Sequence, residues 1–506
     1  ASKLRHLFLP KFQRMRAFLF SAFMLLNGTW LPAQQKPNVI YIYADDLGYG
    51  ELGCYGQQKI KTPHLDKLAS TGMRFTDHYT SAPVCAAARC MLLTGRHSGN
   101  AYIRGNYELG GFTDDSEGGQ MPLHEGAFTI AHLMKQAGYS TGVIGKWGLG
   151  MQYASGSPIK QGFDYFYGLL DQKQAHNYYP THLWENDKWD TLDNPIIYSH
   201  ATIPVGSPDS AFDRFIGKDY VLDRLGDKTV EFLNRNRAKP FFLYLPYVSP
   251  HAALQAPKEA VSEYKDLFND QPYYGQNGYT PVKYPRATYA AMITYLDKQV
   301  GRVVAALKEL GLDKNTIILF SSDNGATFDV GGVDTKFFSS VGGLRGRKQD
   351  LYEGGIREPF IVNWPGKIKP GSVSKHISAQ YDIMATLAEL VNGKAPENDG
   401  ISLLPELLGK SQKRHEYLYF EFPEKNGQVA IRMGRWKGVR SNIKNNPDAP
   451  WEIYDLENDI AETTDLSSKH ADLIKRFMEI QQAEHHCPHL RSWEFIDPKT
   501  KRVPES

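Results

Sequence analysis

Five hydrophobic runs mark the first 365 residues, and all but the last end in polar residues with recognisable chemistry. The runs are PNVIYIYADD (37–46), GYSTGVIGKW (138–147), PFFLYLPYVSPH (240–251), NTIILFSSDNG (315–325) and EPFIVNWP (358–365). Short continuous runs of this kind are typical of strands buried on both faces of a parallel sheet. Because ligands of such sheets bind at the carboxyl ends of the strands, the polar ends predict one shared cleft.

Candidate helices lie between and after these runs, at 64–71, 88–95, 127–137, 218–236, 285–311 and 379–391. This alternation predicts the α/β class, with a large mixed, mostly parallel sheet sandwiched by helices. The segment 148–217 is rich in Gly, Tyr, Asn and Pro, and we interpret it as loops over the cleft rather than as core.

The pattern changes after about residue 395, where short segments alternate like the strands of a small antiparallel sheet. These segments are EYLYFEF (416–422), QVAIRMG (428–434), RWKGVRS (435–441) and WEIYDLE (451–457). A helix from about 467 to 485 follows them. We therefore expect a catalytic domain over 35–395 and a smaller C-terminal α+β subdomain over 396–506.

Composition excludes some classes of function. The 506 residues are 41% hydrophobic and 12% aromatic, which is ample for a large packed core. The net charge of +2 hides an uneven distribution, because five of the 58 Lys and Arg residues lie within 1–34, a segment without acids. The rest of the chain has 53 basic against 56 acidic residues, so nothing resembles a nucleic-acid footprint.

The segment 1–34 has the composition of a signal peptide. From Met15 it reads MRAFLFSAFMLLNGTWLPAQQ, a charged start followed by an apolar stretch and then small and polar residues. The apolar stretch is too short for a membrane span, so we expect no transmembrane span in the mature chain. We interpret Met15 as the true start and expect export; the alternative is an amphipathic helix that the protein retains. The four cysteines do not make a disulfide scaffold at this length.

Cys85 lies in SAPVCAAARCMLLTGR (81–96), at the predicted start of a helix. It could be a small buried hydrophobe. It could also be a nucleophile at the positive end of the helix, where a developing anion is stabilised. The local sequence alone leaves both interpretations open.

Two pairs of polar residues follow separate predicted strands. Asp45 and Asp46 follow the first run, and Asp323 and Asn324 end the fourth. Such pairs can simply cap a turn. Three carboxylates and an amide oxygen without accompanying Cys or His ligands also suit a hard divalent cation, Ca²⁺ rather than Zn²⁺.

From residue 37 to about residue 460 the chain resembles a type I sulfatase of the alkaline phosphatase superfamily. Cys85-Ala86-Ala87-Ala88-Arg89 matches the family signature C-x-P/A-x-R, and the family's TGR follows it. The resemblance implies that Cys85 is converted after translation into formylglycine, whose hydrated aldehyde attacks sulfur. Ala87 stands where proline is commoner, which suggests a radical-type formylglycine-generating maturase of anaerobic bacteria.

The resemblance also assigns roles to the polar strand ends. It implies that Asp45, Asp46, Asp323, Asn324 and the converted Cys85 hold Ca²⁺. It places Arg89 in the catalytic signature, Lys146 and Lys348 on the sulfate group, and His251 at the leaving oxygen. A sulfate ester needs such cations for its equatorial oxygens and an acid for its bridging oxygen.

One position departs from the family pattern. The family usually reads GKWHLG, and this chain has Gly148 where that histidine would contact formylglycine and help to expel sulfate. Either another group does this here, or turnover relies on hydrated formylglycine and the metal. An inactive, degenerate enzyme is the remaining alternative.

The segment QKQAHNYYPTHLW (172–184) resembles carbohydrate sulfatases that act on galactose-configured sugars. His176 and Asn177 can hydrogen-bond sugar hydroxyls, although a purely structural His176 is nearly as plausible. Arg347, beside Lys348, and Asp334 are further candidates for binding the sugar.

These features predict an exported bacterial sulfatase, located in the periplasm, at the cell surface or outside the cell. We expect it to remove an O-sulfate, with O3 favoured and O4 or O6 as alternatives, from terminal galactose or N-acetylgalactosamine. Mucin, algal or glycosaminoglycan glycans would be its substrates. A phosphodiesterase or phosphonate hydrolase of the same superfamily, and a sulfated-glycan-binding protein without turnover, are the rival functions.

Overall fold

A ten-stranded mixed sheet is the largest element of the fold in a computed structural model that describes residues 36–500. The strands of the described chain are β1 Asn38–Asp45, β2 Met73–Phe75, β3 His78–Tyr79, β4 Phe112–Thr113, β5 Ser116–Glu117, β6 Ser140–Lys146, β7 Tyr165–Leu169, β8 His182–Glu185, β9 Lys188–Thr191, β10 Phe241–Pro250, β11 Thr316–Ser322, β12 Phe360–Asn363, β13 Ser372–Ser374, β14 Ser378–Ala379, β15 Leu418–Phe422, β16 Gln428–Met433, β17 Trp436–Ser441 and β18 Glu452–Asp455.

The large sheet has the order β13-β2-β12-β11-β1-β10-β6-β7-β8-β9. Its central strands, β11, β1, β10, β6 and β7, all run parallel. The strands β12 and β8 pair antiparallel with β11 and β7 at the two sides of this block. The predicted mixed, mostly parallel sheet is therefore confirmed, and the fifth hydrophobic run is a short antiparallel strand within it.

Helices cover both faces of this sheet. The α-helices of the described chain are α1 Pro63–Thr71, α2 Cys85–Thr94, α3 Ile130–Gln136, α4 Ser210–Asp213, α5 Val221–Asn236, α6 Lys258–Ser262, α7 Pro285–Glu309, α8 Thr335–Phe338, α9 Glu353–Ile356, α10 Asp382–Val391, α11 Leu404–Leu407 and α12 Ala471–Glu484. Side chains alternate across a strand, and β1 follows this rule. Ile40 and Ile42 share a hydrophobic cluster with α5 and α7, whereas Val39 and Tyr41 share another with α2, α3 and α10.

The interpretation of 148–217 as loops outside the core is wrong in part. Strands β7, β8 and β9 lie within this segment and extend the large sheet. Phe166 and Leu169 of β7 are fully buried. Their run is short and contains Gly168, so its strand character depends on the parallel pairing with β6, which the local pattern does not reveal.

The C-terminal segments form the predicted small antiparallel sheet, in the order β15-β16-β17-β18. Helix α12 packs on it, and Phe477 and Ile480 share a hydrophobic cluster with Ile431 and Ile453. A separate antiparallel sheet with a helix is thus confirmed. The division of the chain at residue 395 stays a prediction.

Three further expectations concern the termini and the cysteines. The predicted signal peptide and the start at Met15 lie outside the described residues. Within residues 36–500, no helix has the length and apolar character needed to cross a bilayer. Cys54, Cys85, Cys90 and Cys487, all within that range, are unpaired thiols.

Candidate active site

Four neighbouring parallel strands bring the predicted polar residues together. In the order β11, β1, β10 and β6, they end at or just before Asp323, Asp45, His251 and Lys146. Because these strands are parallel and adjacent, their carboxyl ends lie at one edge of the sheet. The sequence prediction of one shared cleft is consistent with this arrangement.

Cys85 lies at the centre of this cleft, as the first residue of α2. Its Sγ is 3.5 Å from Asp45 Oδ1 and 3.5 Å from Lys348 Nζ. The preceding residue, Val84, is extended and offers no side-chain cap to the helix. The first turn therefore presents backbone N–H groups that have no acceptor inside the helix, and a positive partial charge near residue 85.

Arg89 and Lys146 fix the carboxylates beneath Cys85. Lys146 Nζ is 2.6 Å from Asp45 Oδ2, and both side chains are fully buried. Arg89 Nη2 is 2.8 Å from Asp323 Oδ2 and 3.8 Å from Asp45 Oδ2, and its Nη1 donates to the Lys146 carbonyl oxygen at 2.6 Å. These contacts hold α2 against the ends of β1, β6 and β11.

Asp46 contacts four other residues of the site. Its carboxylate oxygens lie 2.8–2.9 Å from Lys348 Nζ and 3.4 Å from His251 Nε2. Asn324 Nδ2 donates to the same carboxylate at 2.7 Å, and the backbone N–H of Asp46 donates to Asp323 Oδ1 at 3.1 Å. All four of these side chains are buried.

The oxygen-rich donor set fits a hard divalent cation. Ligand atoms of Asp45, Asp46, Cys85 and His251 all lie within 4.8 Å of one another. Asn324 Oδ1 is buried and has no hydrogen-bond partner among the described residues, which marks an acceptor that still needs a partner. The geometric cluster includes His251, for which the resemblance implies proton transfer, and does not include Asp323, whose carboxylate binds Arg89.

Three carboxylates and three cations, Lys146, Lys348 and Arg89, face one another in the site, but the carboxylates do not all have the same pKa shift. Burial would raise the pKa of Asp45, but Lys146 and other nearby cations hold it well below its ordinary value. Burial and the negative charge of Asp45 raise the pKa of Asp323 to about 7, despite the opposing effect of Arg89. A bound divalent cation would relieve this repulsion between neighbouring acids.

The thiol of Cys85 is a poor nucleophile as it stands. Burial raises its pKa far above the ordinary value, and the nearby lysines only partly offset this. The thiol is therefore neutral near pH 7, and only a thiolate attacks or binds metal efficiently. Residue 85 lies at the centre of the site, but an unmodified cysteine at this position is not an efficient nucleophile.

His176 is the predicted sugar-binding residue that the structure brings to the site. Its ring stacks on that of His251, with centroids 4.3 Å apart and planes 14° apart. Burial and His251 lower the pKa of His176 well below its ordinary value, so the ring is neutral. A neutral imidazole here can still donate to or accept from a hydroxyl group.

The other three predicted sugar-binding residues have partners elsewhere. Asn177 uses both amide hydrogens on the backbone oxygens of Tyr179 and Ile197. Asp334 caps α8 through Phe337 N–H. Arg286 binds the Asp334 carboxylate at 2.7 Å, and Arg347 binds Asp329 at 2.5 Å. Their role in binding substrate stays a prediction.

The sequence analysis missed Tyr279. Its ring centroid lies 5.6 Å from that of His176 and 6.3 Å from that of His251, so it forms one wall of the site. Its φ of 63° lies in the left-handed region, which bulky residues rarely adopt and which is often found at functional sites. No local motif indicates this residue, because its position depends on how the loop folds back.

Comparison with known proteins gives a consistent picture. A family model described as "Sulfatase" matches residues 37–393. A second model, described as "N-sulphoglucosamine sulphohydrolase, C-terminal", matches residues 347–485. The two matches together extend from the first strand of the large sheet to the helix that packs on the small one.

Individual relatives cover most of the chain. Steryl-sulfatase of Mus musculus is 32% identical over 444 residues, which cover 77% of this chain and 68% of that protein. N-acetylgalactosamine-6-O-sulfatase of Bacteroides thetaiotaomicron is 30% identical over 511 residues, which cover 89% of this chain and 93% of that protein. The solved structure of Ps i-CgsB in complex with k-i-k-neocarrahexaose superposes with a TM-score of 0.71 at 29% identity, covering 90% of this chain and 94% of that one.

Proposed function

The chain belongs to the sulfatase family and is a sulfuric ester hydrolase, and on this premise we propose that it is an exported carbohydrate sulfatase. We propose that it removes an O-sulfate from terminal galactose or N-acetylgalactosamine, with formylglycine at position 85 and Ca²⁺. The observation that carries the proposal is the placement of Cys85 Sγ 3.5 Å from both Asp45 Oδ1 and Lys348 Nζ.

In the proposed site, acidic residues bind the metal and cationic residues bind the sulfate. Asp45, Asp46, Asp323 and Asn324 would hold Ca²⁺ together with residue 85. When bound, Ca²⁺ would act as a Lewis acid on the sulfate and lower the pKa of a neighbouring hydroxyl. Formylglycine, once hydrated, would supply the hydroxyl that attacks sulfur, which the buried neutral thiol of Cys85 is unsuited to do.

The cations orient and stabilise the sulfate group. Lys348 Nζ and Lys146 Nζ lie on either side of the acidic pair Asp45 and Asp46. Their charges would face the sulfate oxygens, where negative charge is redistributed as the ester bond breaks. Arg89 would hold Asp323 and Asp45 in place rather than contact substrate, because both side chains enclose its guanidinium.

His251 would donate the proton to the leaving sugar oxygen. Its Nδ1 lies against the backbone oxygen of Ala252, which fixes the hydrogen on that nitrogen. The nitrogen that can exchange a proton at the site is therefore Nε2, 3.4 Å from Asp46. Protonation of the leaving oxygen matters because a sugar alkoxide is a poor leaving group.

The substrate class rests on His176 and on the named relatives. His176 stacks on His251 and so lies beside the proposed leaving oxygen. The relative from Bacteroides thetaiotaomicron is named for N-acetylgalactosamine, which supports a galactose-configured sugar. We expect sulfate at O3 first, and the name of that relative makes O6 the second candidate.

Two measurements test the proposal in sequence. Intact-mass analysis of the peptide containing Cys85 should detect the loss that accompanies conversion of the thiol to an aldehyde. The converted protein is then incubated with galactose and N-acetylgalactosamine that carry a single sulfate at O3, O4 or O6. An unconverted thiol in a protein that still releases sulfate would remove formylglycine from the proposal. Faster turnover of phosphate diesters or phosphonates would replace the sulfatase with its superfamily rival.

Further parts of the proposal concern maturation and location. We propose that residues 1–34 direct export, that the protein acts in the periplasm, at the cell surface or outside the cell, and that a radical-type maturase converts Cys85. We also propose that 35–395 is the catalytic domain and 396–506 its C-terminal subdomain. Coexpression with an anaerobic maturase and N-terminal sequencing of the exported protein test these points.

A further inference from the structure

Gly148 leaves a space beside the site that a glutamine fills. It lies two residues after Lys146 and has a φ of 72°. A Cβ at this position would lie 2.8 Å from Gln172 Oε1 and 3.5 Å from Gln172 Cβ. The side chain of Gln172 therefore occupies the place where a side chain of residue 148 would extend. Gln172 is only 3% exposed.

The Gln172 amide is connected to the helix that carries residue 85. Gln172 Nε2 donates to Asn106 Oδ1 at 3.3 Å, and the backbone N–H of Ala86 donates to the same oxygen at 3.2 Å. Ala86 is the second residue of α2, where backbone N–H groups have no acceptor inside the helix. Asn106 thus caps α2 from outside, directly next to residue 85.

The other contacts of Gln172 hold it in place and leave one oxygen free. Its backbone N–H donates to Gln120 Oε1 at 2.8 Å. Its own Oε1 is buried and has no hydrogen-bond partner among the described residues. A buried acceptor without a partner costs roughly 1–3 kcal/mol, which a protein retains more readily where the group serves the site.

We infer that Gln172 is a positioning residue of the nucleophile: it orients Asn106, which fixes the Ala86 N–H and with it the first turn of α2 at residue 85. Gly148 is required because it gives the Gln172 amide its room. The inference rests on the proposed function in one respect, the assignment of residue 85 as the nucleophile. It gives the otherwise unexplained Gly148 a physical role.

The first test uses the protein with Cys85 unconverted, so it does not depend on activity. Hydrogen–deuterium exchange of a peptide spanning 81–92 reports the protection of Ala86 N–H. Gln172→Met, which keeps the bulk of the side chain but removes both amide groups, should speed this exchange about tenfold, the loss of roughly one hydrogen bond. Gln161→Met is the matched control, since Gln161 is 2% exposed and its Oε1 is also without a partner, but its Nε2 binds Ser155 O.

The second test uses the converted enzyme. Gln172→Met and Asn106→Leu should each lower kcat about tenfold with KM within about twofold, because the nucleophile is misplaced while sugar binding is not changed. The double variant should be no slower than either single variant, since both break one chain of contacts. Asn106→Asp should retain most of the activity, because a carboxylate oxygen still accepts from Ala86 and Gln172.

Gly148→Ala offers an independent arm. The added methyl group should displace the Gln172 amide, so kcat should fall in the wild-type background and fall little further in a Gln172→Ala background.

Intact mass of every variant must show wild-type conversion of Cys85. Unchanged exchange and kcat in Gln172→Met would overturn the inference even if the wild type is an active sulfatase. An inactive, unconverted wild type would remove the proposed function, and the exchange experiment would still decide the role of Gln172.

Discussion

His251 contacts Asp46 on one side and the predicted sugar-binding residue His176 on the other. One ring nitrogen is fixed by the backbone oxygen of Ala252, and the other faces Asp46. Burial lowers the pKa of His251 to about 4, although Asp46 opposes this, so the ring is neutral in the free protein near pH 7. A role as proton donor therefore requires that the ring gains its proton when the anionic ester is bound beside it.

Replacement of this histidine should affect esters according to their leaving group. We expect His251→Ala to lower kcat about 10²–10⁴-fold on a sugar sulfate, because the alkoxide then leaves without a proton. The loss on nitrophenyl sulfate should be much smaller, since a nitrophenolate needs no proton. Steady-state kinetics on both esters measures the difference.

The control for this experiment is His376→Gln, a half-buried histidine near β13 that takes no part in the proposed site. It should leave both rates unchanged. Equal losses on the two esters in His251→Ala would contradict the role as proton donor and would indicate that His251 mainly holds Asp46 or the metal.

The residues that the sequence predicts well are those attached to recognisable strand ends. Asp45, Lys146 and Asp323 could be placed in one cleft because parallel strands align their carboxyl ends. Tyr279 and Gln172 could not, since each reaches the site through a loop whose path depends on tertiary packing. Asn177 is a different case, because its side chain hydrogen-bonds within its own loop, and its predicted contact with sugar stays a prediction.

At the scale of elements, the same contrast separates the central strands from the edge of the sheet. Strands β1, β10 and β11 were predicted within three residues because they are long, apolar and buried on both faces. Strands β7, β8 and β9 lie in a segment rich in turn-forming residues and gain their strand character from their neighbours. Local propensity is a weak guide where pairing partners supply most of the stabilisation.

A histidine directly after α12 connects the end of the helix to the small sheet. His485 Nδ1 is 2.9 Å from Glu421 of β15, and its Nε2 is 3.1 Å from Glu494. Burial lowers the pKa of His485, but the two glutamates outweigh this and raise it to about 9. A protonated imidazole between two buried carboxylates is a strong pair of charge-assisted hydrogen bonds.

This histidine should make stability depend on pH in a defined window. Its pKa is raised on folding from about 6.5 to about 9, so the stabilisation is complete below the unfolded value. It should decline as the pH rises from about 6.5 to about 9 and be absent above. Urea unfolding of the wild type and of His485→Gln should differ by about 1.5–3 kcal/mol at pH ~6 and converge above pH ~9.

The neighbouring exposed His486 supplies the control. His486→Gln should follow the wild type closely at every pH, because that exposed ring lies against a backbone oxygen of Glu484 and its interaction with the Glu484 carboxylate is screened by solvent. A difference between the wild type and His485→Gln that grows with pH, or does not change, would contradict the proposed pairing.

At the scale of the whole molecule, the helix that carries residue 85 belongs to the core of both sheets. Ala87 and Met91 of α2 share one hydrophobic cluster with Phe420 of β15 and Val439 of β17. The small sheet thus packs against the back of the helix whose first residue lies in the cleft. We therefore expect both sheets to stabilise the position of residue 85.

A buried ion cluster joins the small sheet to α9, whose Ile356 belongs to the same hydrophobic cluster as α2. Lys437 Nζ of β17 lies 2.8 Å from Glu353 Oε1 and 2.9 Å from Glu462 Oε1, with all three side chains fully buried. Arg357 binds the other oxygen of Glu353 at 2.6 Å. Two carboxylates can lie close together in this buried position because the lysine lies between them. Removal of one partner of a buried ion pair leaves an uncompensated charge.

Lys437→Met should therefore cost about 3–5 kcal/mol of unfolding free energy, measured by urea titration, while Lys475→Met on the exposed face of α12 should cost less than about 0.5 kcal/mol. The lost ion pairs lie beside the hydrophobic cluster that the small sheet shares with α2. Hydrogen exchange should therefore rise both in β17 and in α2, although α2 contains no changed residue. Increased exchange confined to 418–455, with α2 protected as in the wild type, would show that the small sheet loosens without the helix. The integrity of the cleft would then depend on the large sheet alone.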